Sequence, residues 1–596
     1  MNKSRIKICQ NCKEEFRIEP EDFVFYDRIQ VPPPTFCPEC RLQRRLAFRN
    51  EGKLFKRKSD FTGKTIFSMY APDMPIKVYE YAIWHSDQWN PMEYNRDYNF
   101  NVPFFEQLAG LISDIPYYNL SVLNMINSDY CNNANDLKDC YLVFGANYDE
   151  NCLYGNGVNT TKDSMEISHV QKCELCYECL MCVQCYKTFF SIDCENCHNV
   201  YFSKKCVNCS YCFGCVNLRN KEYCIFNKQY TKEEYLNQFK KFQLNSRSIL
   251  IKTKKEVNDF WLNFPNKYRH GSHNNNVSGD YLYDSKNTFY SWNVYGAEDS
   301  RWCHDLLTPS AKDCYDYSIW GDNAELIYEN VICGMNIRNL KFCYECWNSF
   351  DLDYCAFCSN SSNLFGCIGL RNKSYCIFNK QYTKKEYGEM VPKIIQHMNE
   401  MPYIDKNRRV YKYGEFFPIE LSPFSYTETT AYEHFPLSKK QIEEGGYRYS
   451  DIKKHKGIYD ITLKKENLPD NIEDAQDGVV GEFIECANAK TGVCCGVDVF
   501  TIIKRELEFY RSHHIALPDL CPNCRHYQRV KQRNPLKLWH RQCQCGGDKS
   551  DNGVYQNTVN HNHHGTNHCP NEFETTYAPE RPEIVYCEKC YQEEVA

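Results

Sequence analysis

Twenty-four of the chain's 38 cysteines fall between Cys131 and Cys376, and they recur at fixed intervals. Cys131, Cys152, Cys173, Cys194 and Cys215 follow one another in steps of 21, and Cys176/Cys197, Cys185/Cys206 and Cys355/Cys376 repeat the same step. Self-similarity at a short fixed period marks a solenoid, in which one turn buries its apolar face only by stacking on the next. Segments such as Cys140–Phe144, Cys152–Tyr154, Val200–Phe202 and Tyr223–Phe226 are short, aromatic and β-prone, with Gly and Asn at the corners. The pattern predicts a mainly β chain whose centre is a parallel β-solenoid of about 21 residues per coil. From Cys173 to Cys185 cysteine stands at every third position, a spacing that neither a strand nor a helix explains and that short strands broken by corners would allow.

A larger duplication overlies the coils. Phe213–Tyr230 recurs at Phe365–Tyr382, 152 residues on, and both copies continue into Thr-Lys-x-Glu-Tyr. Thr231 with Glu234, and Thr383 with Glu386, read as capping boxes that open helices over an exposed strand edge. Two solenoid segments are expected, residues 110–245 and 280–400, with 401–480 connecting them to the C-terminal part. Inside a narrow coil free cysteine packs as a small hydrophobe, which is the favoured reading of the ladder. The competing reading stacks Cys173 and Cys176 over Cys194 and Cys197, gathering four sulfurs for a metal ion or an iron–sulfur cluster.

The two ends are copies of one module. After the knuckle Cys9-x-x-Cys12, Phe25-Tyr26 and Cys37-Pro-Glu-Cys40-Arg41 are matched, with an offset of 484, by Phe509-Tyr510 and Cys521-Pro-Asn-Cys524-Arg525. Paired Cys-x-x-Cys knuckles suit the tetrahedron that Zn²⁺ prefers, so Cys9, Cys12, Cys37 and Cys40 form one closed, structural site. In the C-terminal copy Cys521 and Cys524 make the second knuckle, while Cys486, Cys494 and Cys495 compete for the first, with Cys495 expected to bind. A further site is read at Cys543, Cys545, Cys587 and Cys590, because all four become non-ligands together in the N-terminal copy (Ser59, Phe61, Glu80 and Ile83). About three Zn²⁺ per chain follow. The segment His561–Cys569, flanked by Gly and Asn, reads as a polar loop in preference to another metal site. These motifs resemble a family of zinc-ribbon or treble-clef domains in uncharacterised bacterial proteins, over about residues 5–85 and 482–595 of terminal modules placed at 1–95 and 481–596; the resemblance implies zinc binding and no assigned activity.

Charge separates these zones. Residues 1–64 and 504–541 each carry a net +6, which leaves −18 for the rest of a chain whose total is −6. Arg41, Arg45 and Arg49, and likewise Arg525, Arg529 and Arg533, are spaced for one helix face and are candidate nucleic-acid contacts. The same arginines can instead pair with the acidic centre. No apolar run suits a leader or a membrane span, and abundant thiols suit a reducing cytoplasm. The functional expectation is a non-catalytic zinc scaffold that binds a macromolecular partner. The alternatives are a β-helix enzyme acting on polysaccharide, through Asp136, Asp139, Asp149, Asp163 or Asp193, and a thiol-based metal-storage or redox protein. The sequence shows no nucleophile–base pair, phosphate loop or nucleotide fingerprint.

Overall fold

The computed structural model describes residues 4–451, 459–489 and 498–595. The chain forms two compact units, each discontinuous in sequence: residues 1–120 with 269–450, and residues 121–268 with 451–596. Each unit therefore joins one terminal module to the solenoid segment that lies away from it in the sequence. Both segments are stacks of parallel coils.

The coil is twelve residues long, not about 21. In the second unit Asn132 pairs with Phe144, Phe144 with Asn156 and Asn156 with Ser168; Tyr186, His198, Ser210 and Glu222 continue the same register. The underlying period is three. Lys172, Leu175, Glu178, Met181 and Gln184 all have φ near +50°, so every third residue is a left-handed corner. The residue after each corner points into the tube: Cys173, Cys176, Cys179, Cys182 and Cys185 are at most 2% exposed. The third residue of each triplet bonds to the neighbouring coil, as in Glu174↔Tyr186 and Tyr177↔Phe189. Four triplets close one coil. A step of 21 is a multiple of three but not of twelve, so it preserves the inward position while moving to a different side of the tube. That is why it recurs in the sequence without being the coil length.

Residue choice follows from this geometry. Left-handed backbone costs an ordinary L-residue about 1–2 kcal/mol and is best tolerated by Asn and Asp. Many corners are Asn or Asp, and they also bond along the stack: Asn124 to Asp136 at 2.8 Å, Asn151 to Asp163 at 2.6 Å, Asn339 to Asp351 at 2.7 Å. Four inward side chains share a narrow lumen, which favours Cys, Ala, Val, Ser and Thr. Each thiol also finds acceptors there; Cys179 Sγ donates to Thr188 O at 3.1 Å, and Cys182 Sγ lies 3.5 Å from Ser191 O. In the first unit the coils are twelve residues at the C-terminal end (Arg338↔Phe350↔Ser362↔Ser374) but lengthen where Ala297 pairs with Ala311 and Ala311 with Ala324. The longer coils house Tyr317 inside the tube, its hydroxyl 2.5 Å from Cys333 O.

Each stack ends in a hairpin and a helix. Cys224 pairs antiparallel with Gln229, and Cys376 with Gln381. Helices Lys232–Phe239 and Lys384–Glu400 follow, with the reciprocal Thr231/Glu234 and Thr383/Glu386 capping boxes in place. The stretch after residue 401 does more than connect: Phe416 and Phe417 are fully buried against Phe48 in the first unit. Among the described residues no helix is long and apolar enough to cross a membrane.

Candidate metal centres

In the N-terminal module strands β1 (Arg5–Ile8) and β2 (Glu15–Ile18) form a hairpin whose turn carries Cys9 and Cys12. Helix α1 (Pro20–Arg28) follows, and helix α2 (Pro38–Leu46) begins at the second knuckle with Cys37 as its N-cap and Pro38 at its first position. Cys12 Sγ lies 3.7 Å from Cys37 Sγ, the Cys37 amide donates to Cys9 Sγ at 3.3 Å, and Asn11 donates to Cys40 Sγ at 3.3 Å. All four sulfurs fall within 4.8 Å of one another, a set that can hold a metal ion. Hydrogen bonding within the set draws the Cys9 thiol well below its ordinary range while raising its partners Cys37 and Cys40. Strands β3 (Phe55–Lys58) and β4 (Thr65–Ser68) complete the module.

The C-terminal module repeats this order. Strands β5 (Ile484–Glu485) and β6 (Val499–Phe500) form the hairpin, followed by helices α3 (Lys504–His513) and α4 (Pro522–Val530), with Cys521 as the N-cap of α4. The Cys521 amide donates to Cys486 Sγ at 3.3 Å, the counterpart of the bond from Cys37 to Cys9, and Cys486 Sγ lies 3.8 Å from Cys524 Sγ. Cys486 thus takes the place of Cys9, and Cys486, Cys521 and Cys524 converge on one point. Residues 486–498 join β5 to β6 where residues 9–14 suffice in the first module, and that insertion breaks the offset of 484. Cys494 and Cys495, the expected partners, lie outside the described residues.

The remaining cysteines divide differently from the sequence expectation. Strands β7 (Trp539–Gln542) and β8 (Glu572–Thr575) correspond to β3 and β4, but the loop between them runs over residues 543–571 instead of 59–64. Cys543 and Cys545 open this loop, His561, His563, His564 and Cys569 lie along it, and strand β9 (Val585–Tyr586) leads into Cys587 and helix α5 (Glu588–Val595), which carries Cys590. The proposed quartet of Cys543, Cys545, Cys587 and Cys590 does not form one convergent set. Cys543, Cys569, Cys587 and Cys590 converge, and Cys545 joins His561, His564 and Cys590. The histidine segment, expected as a polar loop, supplies ligand atoms to both neighbourhoods; a comparison between the two modules could not find them, because the short loop of the first has no counterpart. In the first module Ser59 and Glu80 stand where Cys543 and Cys587 do, and Ser59 Oγ donates directly to Glu80 Oε2 at 2.5 Å. A direct hydrogen bond stands there where the C-terminal module has two cysteines of a convergent set.

The solenoid cysteines are arranged otherwise. The twelve-residue register stacks Cys173 on Cys185, and Cys182 on Cys194 and Cys206, so Cys173, Cys176, Cys194 and Cys197 do not meet at one point as the longer coil required. Among the described residues the convergent cysteine sets all lie in the terminal modules. Burial pushes the thiols of Cys131, Cys303 and Cys376 up to about 12.

Five of the six arginines proposed as nucleic-acid contacts are corrected by their burial, and Arg533 is half-buried. Arg41, Arg45, Arg49, Arg525 and Arg529 are at most 7% exposed. Arg41 and Arg45 converge on Asp316 at 2.8 and 3.0 Å, and Arg44 bonds Glu329 at 3.0 Å and Glu415 at 3.2 Å. Arg49 pairs with Glu51. In the other unit Arg525 lies 3.2 Å from both Glu166 and Glu506, Arg529 pairs with Glu166, and Arg533 bonds His169 at 2.8 Å. The solenoid carboxylates Asp316, Glu329 and Glu166 are all left-handed corner residues. An aromatic corner one coil earlier stacks on the guanidinium: Arg41 sits 5.0 Å from the Trp302 ring and Arg525 5.1 Å from the Tyr154 ring. The same device therefore fastens the knuckle helix to the coil stack in each unit. Of the aspartates weighed for catalysis, Asp136, Asp139, Asp163 and Asp193 are corner residues with φ near +50°, and Asp149 points into the tube.

No family model matches the chain, and no curated protein matches it. Among solved structures, one from Desulfovibrio desulfuricans G20, described provisionally as an acetyltransferase, aligns over 49% of this chain and 86% of its own at 10% identity, with a TM-score of 0.10. That score carries no inference about fold or activity.

Proposed function

We propose that the chain is a non-catalytic, zinc-stabilised scaffold that presents the outer sides of its coil stacks to a macromolecular partner. The observation that carries this reading is the duplicated clamp: a helix that begins at a cysteine knuckle buries its arginines against solenoid corners in both units. The hairpin knuckle followed by a helix-borne knuckle supports a treble-clef reading of both modules. Metal there orients the clamp helix, and in the N-terminal module the four cysteines leave no open coordination position for chemistry. The solenoid thiols are all buried and hydrogen-bonded inside the tube, out of reach of oxidants and exchange partners, which makes them poor redox centres. With the knuckle arginines engaged internally, the partner we favour is a protein, met by coil sides that expose Tyr148, Tyr186, Leu123 and Ile126 in the second unit. A photo-crosslinking residue placed at Tyr148 or Tyr186 tests this. Saturable adduct formation with one protein, competed by unlabelled chain, supports the reading. Adducts to RNA or DNA with a steep salt dependence would replace the protein partner by a nucleic acid, and turnover of a glycan panel would overturn the scaffold reading.

A further inference from the structure

We propose that the β7–β8 loop builds a dinuclear zinc centre in which the Cys590 thiolate bridges two metal ions. The inference rests on the reading that the terminal modules bind metal, and goes beyond it in number and connectivity. Three convergent four-ligand sets contain Cys590: one is His563, His564, Cys569 and Cys590, and the other two have no residue but Cys590 in common. Of those two, Cys543, Cys569, Cys587 and Cys590 make the first; Cys545, His561, His564 and Cys590 make the second. Tetrahedral zinc with bonds of about 2.3 Å to sulfur and about 2.0 Å to nitrogen places ligand atoms about 3.3–3.8 Å apart. The side chains already stand at such separations. Cys569 Sγ is 3.8 Å from Cys587 Sγ, Cys545 Sγ is 3.2 Å from His561 Nδ1 and 3.6 Å from His564 Nε2, the two histidine nitrogens are 3.1 Å apart, and His564 Nε2 is 3.3 Å from Cys590 Sγ.

The surroundings are those of a ligand shell. His561 turns Nδ1 toward the cluster and Nε2 toward the buried Glu594 carboxylate at 2.9 Å, the orienting contact that metal-binding imidazoles use. Glu594 is itself fixed by the Tyr555 hydroxyl and the Thr558 amide, each at 2.9 Å. Asn557 donates to Cys545 Sγ at 3.1 Å, Asn571 to Cys587 Sγ at 3.3 Å, and the Cys587 amide to Cys543 Sγ at 3.2 Å, all bonds that stabilise thiolate. Charge also balances: five thiolates and two neutral imidazoles around two Zn²⁺ leave a single negative charge, spread over these donors. One ion alone would satisfy either set and leave buried ligands of the other uncompensated. His563 Nε2, 3.5 Å from both Cys569 and Cys590, belongs to neither tetrahedron in this assignment.

Native mass spectrometry of the full chain, with elemental analysis, tests the proposal. Wild type is expected to carry about four zinc ions, two of them here. His561→Ala should remove one ion, Cys590→Ala two, and His563→Ala none. Cobalt loading of the wild type provides a readout that needs no variant: a thiolate bridge couples the two ions, so the EPR intensity per cobalt falls as the second ion of this site binds. One ion at this site with full, uncoupled cobalt intensity would overturn the dinuclear centre and leave the scaffold reading intact. A chain that retains no metal in either module would overturn both.

Discussion

Arg45 offers the sharpest test of the clamp. Its guanidinium is fully buried, 3.0 Å from Asp316 Oδ1 and 3.3 Å from Ser318 Oγ, within a cluster that sets Arg41, Arg44 and Arg45 against Asp316, Glu329 and Glu415. Positive and negative charges are equal in number there. Arg45→Met keeps most of the side-chain volume but leaves one buried carboxylate uncompensated, a loss of about 3–5 kcal/mol. The exposed pair Lys138–Glu150, with side chains 54% and 37% accessible, is the control, and Lys138→Met should cost no more than about 1 kcal/mol. Equilibrium urea unfolding, followed by tyrosine and tryptophan fluorescence, reads both. Asp316→Asn should restore a large part of the Arg45→Met loss in the double variant, because it removes the orphaned charge while keeping the side chain's shape. If Arg45→Met shifts stability by less than about 1 kcal/mol while abolishing retention on a polyanion column, the arginine is a surface residue and the clamp is wrong.

Three further expectations follow from the coil geometry. Asp149 lies inside the tube with only Thr161 N bonding its carboxylate, and burial raises its pKa to about 8; since the folded state then holds a proton that the unfolded chain releases near pH 4, stability should fall as pH rises from about 4 to 8, and Asp149→Asn should flatten that slope in a urea-midpoint-versus-pH series. Solenoid thiols should resist a thiol reagent at pH 8 in the native protein and react only on unfolding, because all of them are buried in the lumen; rapid native labelling of Cys131 or Cys303, mapped by peptide mass spectrometry, would contradict the closed lumen. Met181 occupies a left-handed corner with φ of 55°, so Met181→Asn should stabilise the stack by up to about 1 kcal/mol in the same urea assay, whereas a loss of that size would mean that its side-chain packing outweighs the corner preference.

The stacked parallel architecture was legible in the recurring cysteines, and both helix caps could be read from their Thr-x-x-Glu motifs. The coil length was not, because the lumen constrains size and polarity at every third position without saying how many triplets close a turn. Steps of 21 and of twelve both keep cysteine inward, and only the hydrogen-bond register distinguishes them. The N-terminal quartet was legible because two knuckles and nothing else had to converge. Cys569, His561 and His564 were missed for a different reason: they sit on an insertion absent from the first module, so internal comparison carried no information about them. The signal that could have flagged them was their density of imidazoles beside a cysteine. The arginine spacing gave one helix face for Arg41 and Arg45 and for Arg525 and Arg529, while Arg49 and Arg533 lie beyond the helix ends; what that face meets depends on corner carboxylates hundreds of residues away. The net acidity of the centre was the only hint.

The central claim is that metal in the terminal modules holds the coil stacks together. It is tested most directly by measuring urea unfolding of the full chain before and after the metal is stripped by a strong chelator under reducing conditions. The account expects the chelated protein to lose several kcal/mol, with β-sheet circular dichroism decaying as metal leaves and recovering when zinc is returned. A stripped chain whose coil stacks unfold at the same urea concentration as the metal-loaded protein would contradict it.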